Sequence, residues 1–203
     1  MKKIPIILFY IVLLNYSLLS QVQYDKNTVY KNLITKYGKI NTIAVVLEES
    51  GNNLVLKAKR GNKYNISMSG INVISDGKTI WTYNPMIKNV VISNFVADMS
   101  GLTLDYFFFN VIEKLQPVAL KTEVSTSKKK RLILELQAKD KNMEIQKVNL
   151  FINEKISNIT AIEVTTKSNV QKWTIKNLDI NKTMPDTLFL FKTPKGVEEI
   201  DMR

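Results

Sequence analysis

The chain has 203 residues, 45% of them hydrophobic, which suits one domain with a substantial core. It contains no histidine and no cysteine. That removes Ser-His-Asp and Cys-His nucleophile systems, the usual zinc ligands and any disulfide. Lys and Arg total 29 against 18 Asp and Glu, a net charge of +11 that draws the surface to polyanions, including anionic membranes and acidic partners.

Lys2 and Lys3 precede a mostly apolar run at residues 4–19, interrupted by Asn15, Tyr16 and Ser17. A spanning helix needs about 20 apolar residues. Residues 1–20 are therefore expected to be a cleaved secretory signal, with Ser20 the small residue at the cut and residues 21–203 a single domain. The alternative is an uncleaved membrane anchor. A secretory route argues against nucleic acid as the polyanionic partner. With no cysteine, the chain also cannot carry the N-terminal lipid of a bacterial lipoprotein.

Asn27 is placed to cap a helix over residues 28–37, with Val29, Leu33, Ile34 and Tyr37 on one face and Gly38 at the C-cap position. From Asn41 the period changes. Strands are predicted at residues 42–48, 53–60, 63–68, 71–75, 79–83 and 88–92. The turn signals Ser50-Gly51-Asn52, Gly61-Asn62, Ser69-Gly70, Asp76-Gly77 and Asn84-Pro85 separate them. Asp76-Gly77 between two β-prone runs is the sharpest hairpin signal in the chain. After it, Trp81 and Tyr83 share a strand face. Short turns between closely spaced strands describe an antiparallel meander.

Residues 95–115 break the pattern. Leu104, Phe107, Phe108, Val111, Ile112 and Leu115 suit a helix ending before Pro117, with Tyr106 and Phe109 adding aromatic bulk on other faces. Such a helix needs cover on several sides, as a core helix or as a lid over an apolar cavity. Strands return at residues 118–124, 131–137, 144–152, 155–166 and 169–180, with Leu132, Leu134 and Leu136 in strict alternation. A short C-terminal strand and tail follow in residues 187–203.

Leu54, Leu56, Ala58 and Arg60 fall on one face of the second predicted strand. An arginine facing an apolar interior must find acceptors for its five donors. At a strand end it can instead extend to water. The run Lys128-Lys129-Lys130-Arg131 reads first as a solvated hairpin turn and second as a contact for acidic headgroups. No glycine pattern cradles phosphate, and the acidic pairs Glu48-Glu49 and Glu198-Glu199 diverge along a strand. No catalytic residue, metal site or cofactor is expected.

Three blocks carry a resemblance: residues 59–68 (KRGNKYNISM), 74–85 (ISDGKTIWTYNP) and 188–197 (LFLFKTPKGV). In this order and spacing they resemble the LolA family of periplasmic outer-membrane lipoprotein carriers. Lys59-Arg60 matches the family's Lys-Arg-Pro-type motif, with Gly61 in place of proline. Tyr64 matches a family aromatic, and Ile66 stands where tryptophan is common. Asp76-Gly77-Lys78-Thr79, Trp81 and Tyr83-Asn84-Pro85 match closely, as does Pro194-Lys195-Gly196-Val197 to a terminal Pro-x-Gly-Val motif. The hairpin before Arg60 is shortened.

The resemblance implies a mainly β, α+β fold: a curved antiparallel sheet forming an incomplete β-barrel closed by lid helices. It implies a cavity for acyl chains, lined by Leu54, Leu56, Tyr64, Ile66, Met68, Val73, Phe107 and Phe108, with Arg60 gating the lid. The implied role is a periplasmic escort, not an enzyme, taking acylated lipoproteins from an inner-membrane lipoprotein-releasing transporter to the outer membrane. The implied partners also include an outer-membrane receptor, with the carrier a monomer, and the basic surface adds contact with an anionic membrane surface. The alternative is a LolA-like module that senses a lipid or lipoprotein without transporting it. The physical need for an escort is plain: burying one CH₂ is worth ~0.8 kcal/mol, so an acyl chain does not leave a membrane unaided.

Overall fold

The computed structural model describes residues 24–96, 109, 112–124, 130–153 and 158–203. The expected signal at residues 1–20, the expected lid residues Phe107 and Phe108, and Lys128 and Lys129 of the basic run lie outside the described residues.

Helix α1 spans Lys26–Tyr37. Its N-cap is Asp25, not Asn27: the Asp25 carboxylate accepts from Thr28 N at 2.9 Å and from Thr28 Oγ1 at 3.2 Å. The carboxylate accepts the orphan N–H and also offsets the positive end of the helix dipole. At the other end Gly38 N–H donates to Ile34 O at 2.7 Å, and Gly38 stays right-handed at φ −63. Glycine is needed for space rather than for a left-handed turn, since a Cβ there would sit 2.7 Å from Ile34 O. Val29, Leu33 and Tyr37 are buried.

The strands of the first half are β1 Thr42–Glu49, β2 Asn52–Lys59, β3 Lys63–Met68, β4 Ile71–Asp76, β5 Thr79–Asn84 and β6 Asn89–Asn94. The second half holds β7 Leu115–Val124, β8 Lys130–Ala138, β9 Ile145–Ile152, β10 Ile159–Thr166 and β11 Val170–Ile180. Strand β12, Glu198–Asp201, closes the chain. They form one curved, open sheet in the order β12-β6-β5-β4-β3-β2-β1-β11-β10-β9-β8-β7. All neighbours are antiparallel except β12, which lies parallel to β6. The fold class expected from the sequence is the one observed. Antiparallel pairing of β1 with β11 joins the two meanders at mid-sheet.

The helix expected over residues 95–115 does not reach Leu115. Ile112–Lys114 is a single 3-10 turn, and Leu115 is the first residue of β7. Pro117 sits inside that strand beside a register shift between Pro117 and Ala119. Because β7 is a sheet edge, a residue without an N–H is tolerated there.

Side chains directly opposite across antiparallel pairs share a face. Leu178, Val45, Leu56, Ile66, Val73, Thr82 and Val91 therefore form one row across seven strands. Ile180, Ile43, Ala58, Tyr64 and Ser75 run parallel to it, as do Ile175, Leu47, Leu54, Met68 and Ile71. This inner face packs on α1, Ile40, Phe109, Ile112 and the inward leucines of β8 to form the main core. Tyr30 anchors α1 there by donating its hydroxyl to Leu115 O at 2.6 Å.

The opposite, outer face is treated differently in the two halves. From β7 to β11 and β1 it carries the ion pairs Lys121–Glu135, Arg131–Glu123 and Lys176–Glu48, with Phe151 buried beneath Arg131 and Lys172. Across β4–β6 it turns apolar: Ile74, Trp81 and Ile92 lie opposite one another, as do Tyr83 and Val90. The 3-10 helix Asp186–Phe189 packs there against β3 and β4, with Phe189 fully buried.

Candidate functional site

The inner face of β1–β4 carries most of the side chains that the sequence nominated. Leu54, Leu56 and Tyr64 are buried in it, Tyr64 at 1% exposure. Ile66 and Val73, opposite one another, are half-buried against the same core. Met68 completes the face of β3 at 49% exposure. Burial thus falls steadily along Tyr64, Ile66 and Met68, so the apolar interior grades into an open end. Alternation dictates this shared face, and the antiparallel register brings Val73 and Leu56 to either side of Ile66.

At that open end lies a pocket of about 240 Å³ whose apolar walls are Leu54, Met68 and Trp173, with Glu49, Asn53 and Ser69 among its polar lining. Leu54 and Met68 were expected from the sequence; Trp173 was not. The signal for Trp173 is its alternation with Ile175 in β11, both packed against the main core. Only the pairing of β11 with β1 brings it beside Leu54.

Arg60 stands one residue beyond the end of β2, outside the row of Leu54, Leu56 and Ala58 that it was expected to extend. Its backbone N–H donates to Asn41 O at 2.9 Å. The guanidinium curls back, with Nε donating to Ile40 O at 2.6 Å and Nη2 to Gly38 O at 2.7 Å. Its carbon lies 5.3 Å from the centroid of the Phe109 ring. The side chain is solvent-exposed, yet it clamps three things: the end of β2, the chain leaving α1, and an aromatic buried in the main core. Carbonyls at a helix C-terminus carry partial negative charge, which suits a cation. Phe109 was expected only as bulk on a helix.

The turns beside Arg60 are fixed by close packing. Gly77 has φ +95, and a Cβ there would meet Gly61 O at 2.4 Å. Ser75 Oγ donates to Asn62 O at 2.9 Å, and Asp76 Oδ1 accepts from Lys78 N and Thr79 N, each at 2.8 Å. The Asp-Gly hairpin thus locks the loop that aims Arg60.

Trp81 and Tyr83 face outward, away from the apolar interior. Phe191 covers both, its ring centroid 6.5 Å from Trp81 and 5.3 Å from Tyr83. Asn65 Nδ2 donates to Leu188 O at 3.0 Å. Lys59 and Lys63 both grip Asp186 at 2.7 Å, which holds its carboxyl at about 2, below the usual carboxylate range. This strap gives β3–β6 a second small core on their outer side. Their inner side can then be left partly uncovered without costing the strands their support.

Among the described residues no three His, Cys, Asp or Glu side chains gather to hold a metal. The perturbed groups are structural. Burial pushes the Tyr37 hydroxyl up to about 12, and hydrogen bonding to Lys121 pulls the Glu135 carboxyl down. Among the described residues no helix is long and apolar enough to cross a membrane.

Comparison with known proteins gives a consistent result. The family profile described as "Outer membrane lipoprotein carrier protein LolA" matches residues 36–192. An outer-membrane lipoprotein carrier protein of Haemophilus influenzae is 29% identical over 140 residues, covering 64% of this chain and 60% of the relative. The chain thus spans about 60% of the length of the curated relatives it matches first. A carrier protein of the same description from Photorhabdus laumondii is 27% identical over 200 residues, covering 85% of this chain and 88% of the relative. In fold, the chain is similar to an uncharacterized conserved protein from Thermus thermophilus. That likeness has a TM-score of 0.50 at 10% identity, over 87% of this chain and 99% of the other.

Proposed function

The chain belongs to the LolA family, and from that premise we propose that it is a periplasmic carrier binding the acyl chains of lipoproteins. Residues 1–20 act as its export signal, and the mature carrier works as a monomer without cofactor or catalysis. It takes lipoproteins from an inner-membrane releasing transporter and delivers them to the outer membrane, where a receptor accepts them. The observation that carries this reading is the half-buried pair Ile66 and Val73. These apolar side chains stay partly uncovered on the inner face of an open sheet, beside fully buried Leu56. They offer an acyl chain an apolar surface to lie on.

The acyl chains lie along the row through Leu56, Ile66 and Val73 and toward Leu54, Tyr64 and Met68. Handover is direct, because release into water would cost on the order of ten kcal/mol per long chain. Arg60 is the catch. Its bonds to the Gly38 and Ile40 carbonyls and its contact with Phe109 hold the empty carrier closed, and loading requires them to part.

The test is incubation of the purified protein with spheroplasts or inner-membrane vesicles, followed by assay of lipoproteins in the soluble fraction. Solubilised lipoproteins in one-to-one complex are expected. No solubilisation, together with tight binding to another protein, would assign the chain to the sensing role instead.

A further inference from the structure

The turns joining β1 to β2, β3 to β4 and β5 to β6 all lie at one end of the sheet. The pocket of Leu54, Met68 and Trp173 opens at the same end. The β5–β6 turn, residues 85–88, carries Met86 at 85% exposure, the highest of any large apolar residue described, and Ile87 at 65%. Flanking the neighbouring β3–β4 turn, Met68 is 49% and Ile71 37% exposed. Since β4 pairs with β5, these tips stand roughly 10 Å apart, two strand spacings. Four large apolar side chains thus crown one rim beside the opening of the interior.

The charges around that rim are sorted. Residues 68–72 and 84–89 contain no acid. Lys88 ends the tip turn, and Lys195 lies beside it, because Glu198 N–H donates to Lys88 O and the turn at residues 194–197 abuts it. Lys192 follows Phe191, whose ring rests on Tyr83 near the same end. All three lysines are exposed. The acids on this side stand behind the tip: Glu198, bonded to Lys88 O, lies opposite Asn89 and Glu199 opposite Val90, while Glu49 lines the pocket. Apolar tips at the extremity with cations just behind them match the layering of an anionic bilayer, acyl chains beneath headgroup phosphates.

We propose that this rim is a membrane-seating surface. Met86 and Ile87 enter the acyl region of an anionic phospholipid bilayer while Lys88, Lys192 and Lys195 bind headgroup phosphates. This brings the pocket at Leu54, Met68 and Trp173 against the bilayer, so that an acyl chain crosses between them without meeting water. The inference rests on the carrier reading for its purpose, but not for its test.

The chain's lack of cysteine makes the experiment clean. Met86→Cys is labelled with the environment-sensitive fluorophore NBD and mixed with vesicles of phosphatidylglycerol and phosphatidylethanolamine. Lys78→Cys, in the turn at the opposite end, is the control. Blue-shifted, brighter emission is expected at position 86 and not at position 78. Pure phosphatidylcholine vesicles should give a much weaker response. The unlabelled double variant Met86→Ser/Ile87→Ser should co-sediment with the anionic vesicles about tenfold less well. An unchanged label at position 86, equal responses at both positions, equal binding to neutral vesicles, or an unaffected double variant would each overturn the proposal. So would a label silent on vesicles but responsive to solubilised membrane proteins, which would make the rim a protein contact. If the rim fails while lipoproteins are still drawn from spheroplasts, the carrier reading stands and only this inference falls.

Discussion

Replacing Arg60 by leucine removes two hydrogen bonds from a cation to main-chain carbonyls and one contact with an aromatic ring, and leaves the strand before it untouched. Charge-assisted hydrogen bonds are worth about 1.5–3 kcal/mol each in protected surroundings. Arg60 is exposed, so water screens them to about 0.5–1 kcal/mol each. The ring contact adds about 0.5–1 kcal/mol. The clamp is therefore worth about 2 kcal/mol, roughly a thirtyfold factor in the ratio of closed to open forms. If closure competes with loading, weakening it favours the loaded state by the same factor. Arg60→Leu should fold, melt only a few degrees lower, and bind lipoprotein more firmly. Its transfer of cargo to outer-membrane vesicles should slow by about thirtyfold. Amide exchange in the last turn of α1 and at Ile40 should speed up by a similar factor while exchange in β8–β10 is unchanged. Normal cargo transfer by this variant, or acceleration spread evenly over the whole chain, would refute the catch.

Three further outcomes follow from the same geometry. Val73→Asp puts a charge among half-buried apolar side chains, so it should abolish displacement of a fluorescent fatty acid while leaving far-ultraviolet circular dichroism intact; retained binding would exclude this row as the acyl path. The Asp186 carboxyl is held low, at about 2, by Lys59 and Lys63, so its tether is at full strength above the ordinary carboxylate pKa and is lost as pH falls through the depressed value. Trp81 fluorescence should therefore change between about pH 4 and 2 as the strap loosens, and Asp186→Asn should show no such step. Acyl binding should be flat from about pH 5 to 8, because the chain has no histidine to change charge there, and a steep pH profile would mean a carboxylate shifted far upward takes part.

Local pattern made some features legible and not others. Strand β3 was read to both of its ends, and the leucines of β8 are buried at alternate positions as their spacing required. The Asp-Gly hairpin formed where its chemistry demanded. The sequence could not rank Asp25 against Asn27, since either can cap and the choice depends on how the chain enters the helix. By spacing from Ile112 alone Leu115 suits a helix as well as a loop, and Pro117 reads as a helix stop. Only a sheet edge explains a proline in that place. Arg60 was two residues past Ala58 and therefore nominally inward. What no alternation could show is that its guanidinium meets the Gly38 and Ile40 carbonyls and the Phe109 ring, a tertiary fact. The same holds for Trp173, which a visible alternation marked as inward but which only the β1–β11 pairing delivers to the pocket.

An open sheet has two borders, and each is a template on which another copy could stack into a fibre. Here both are spoiled. On β7 a proline and its adjoining irregularity interrupt the row of free amides. On β12 the exposed stretch is four residues long and carries Glu198, Glu199 and Asp201, with Arg203 folded back onto Asp201. A molecule proposed to cross a crowded compartment alone, with greasy surface inside it, gains from having no side on which its own kind can queue.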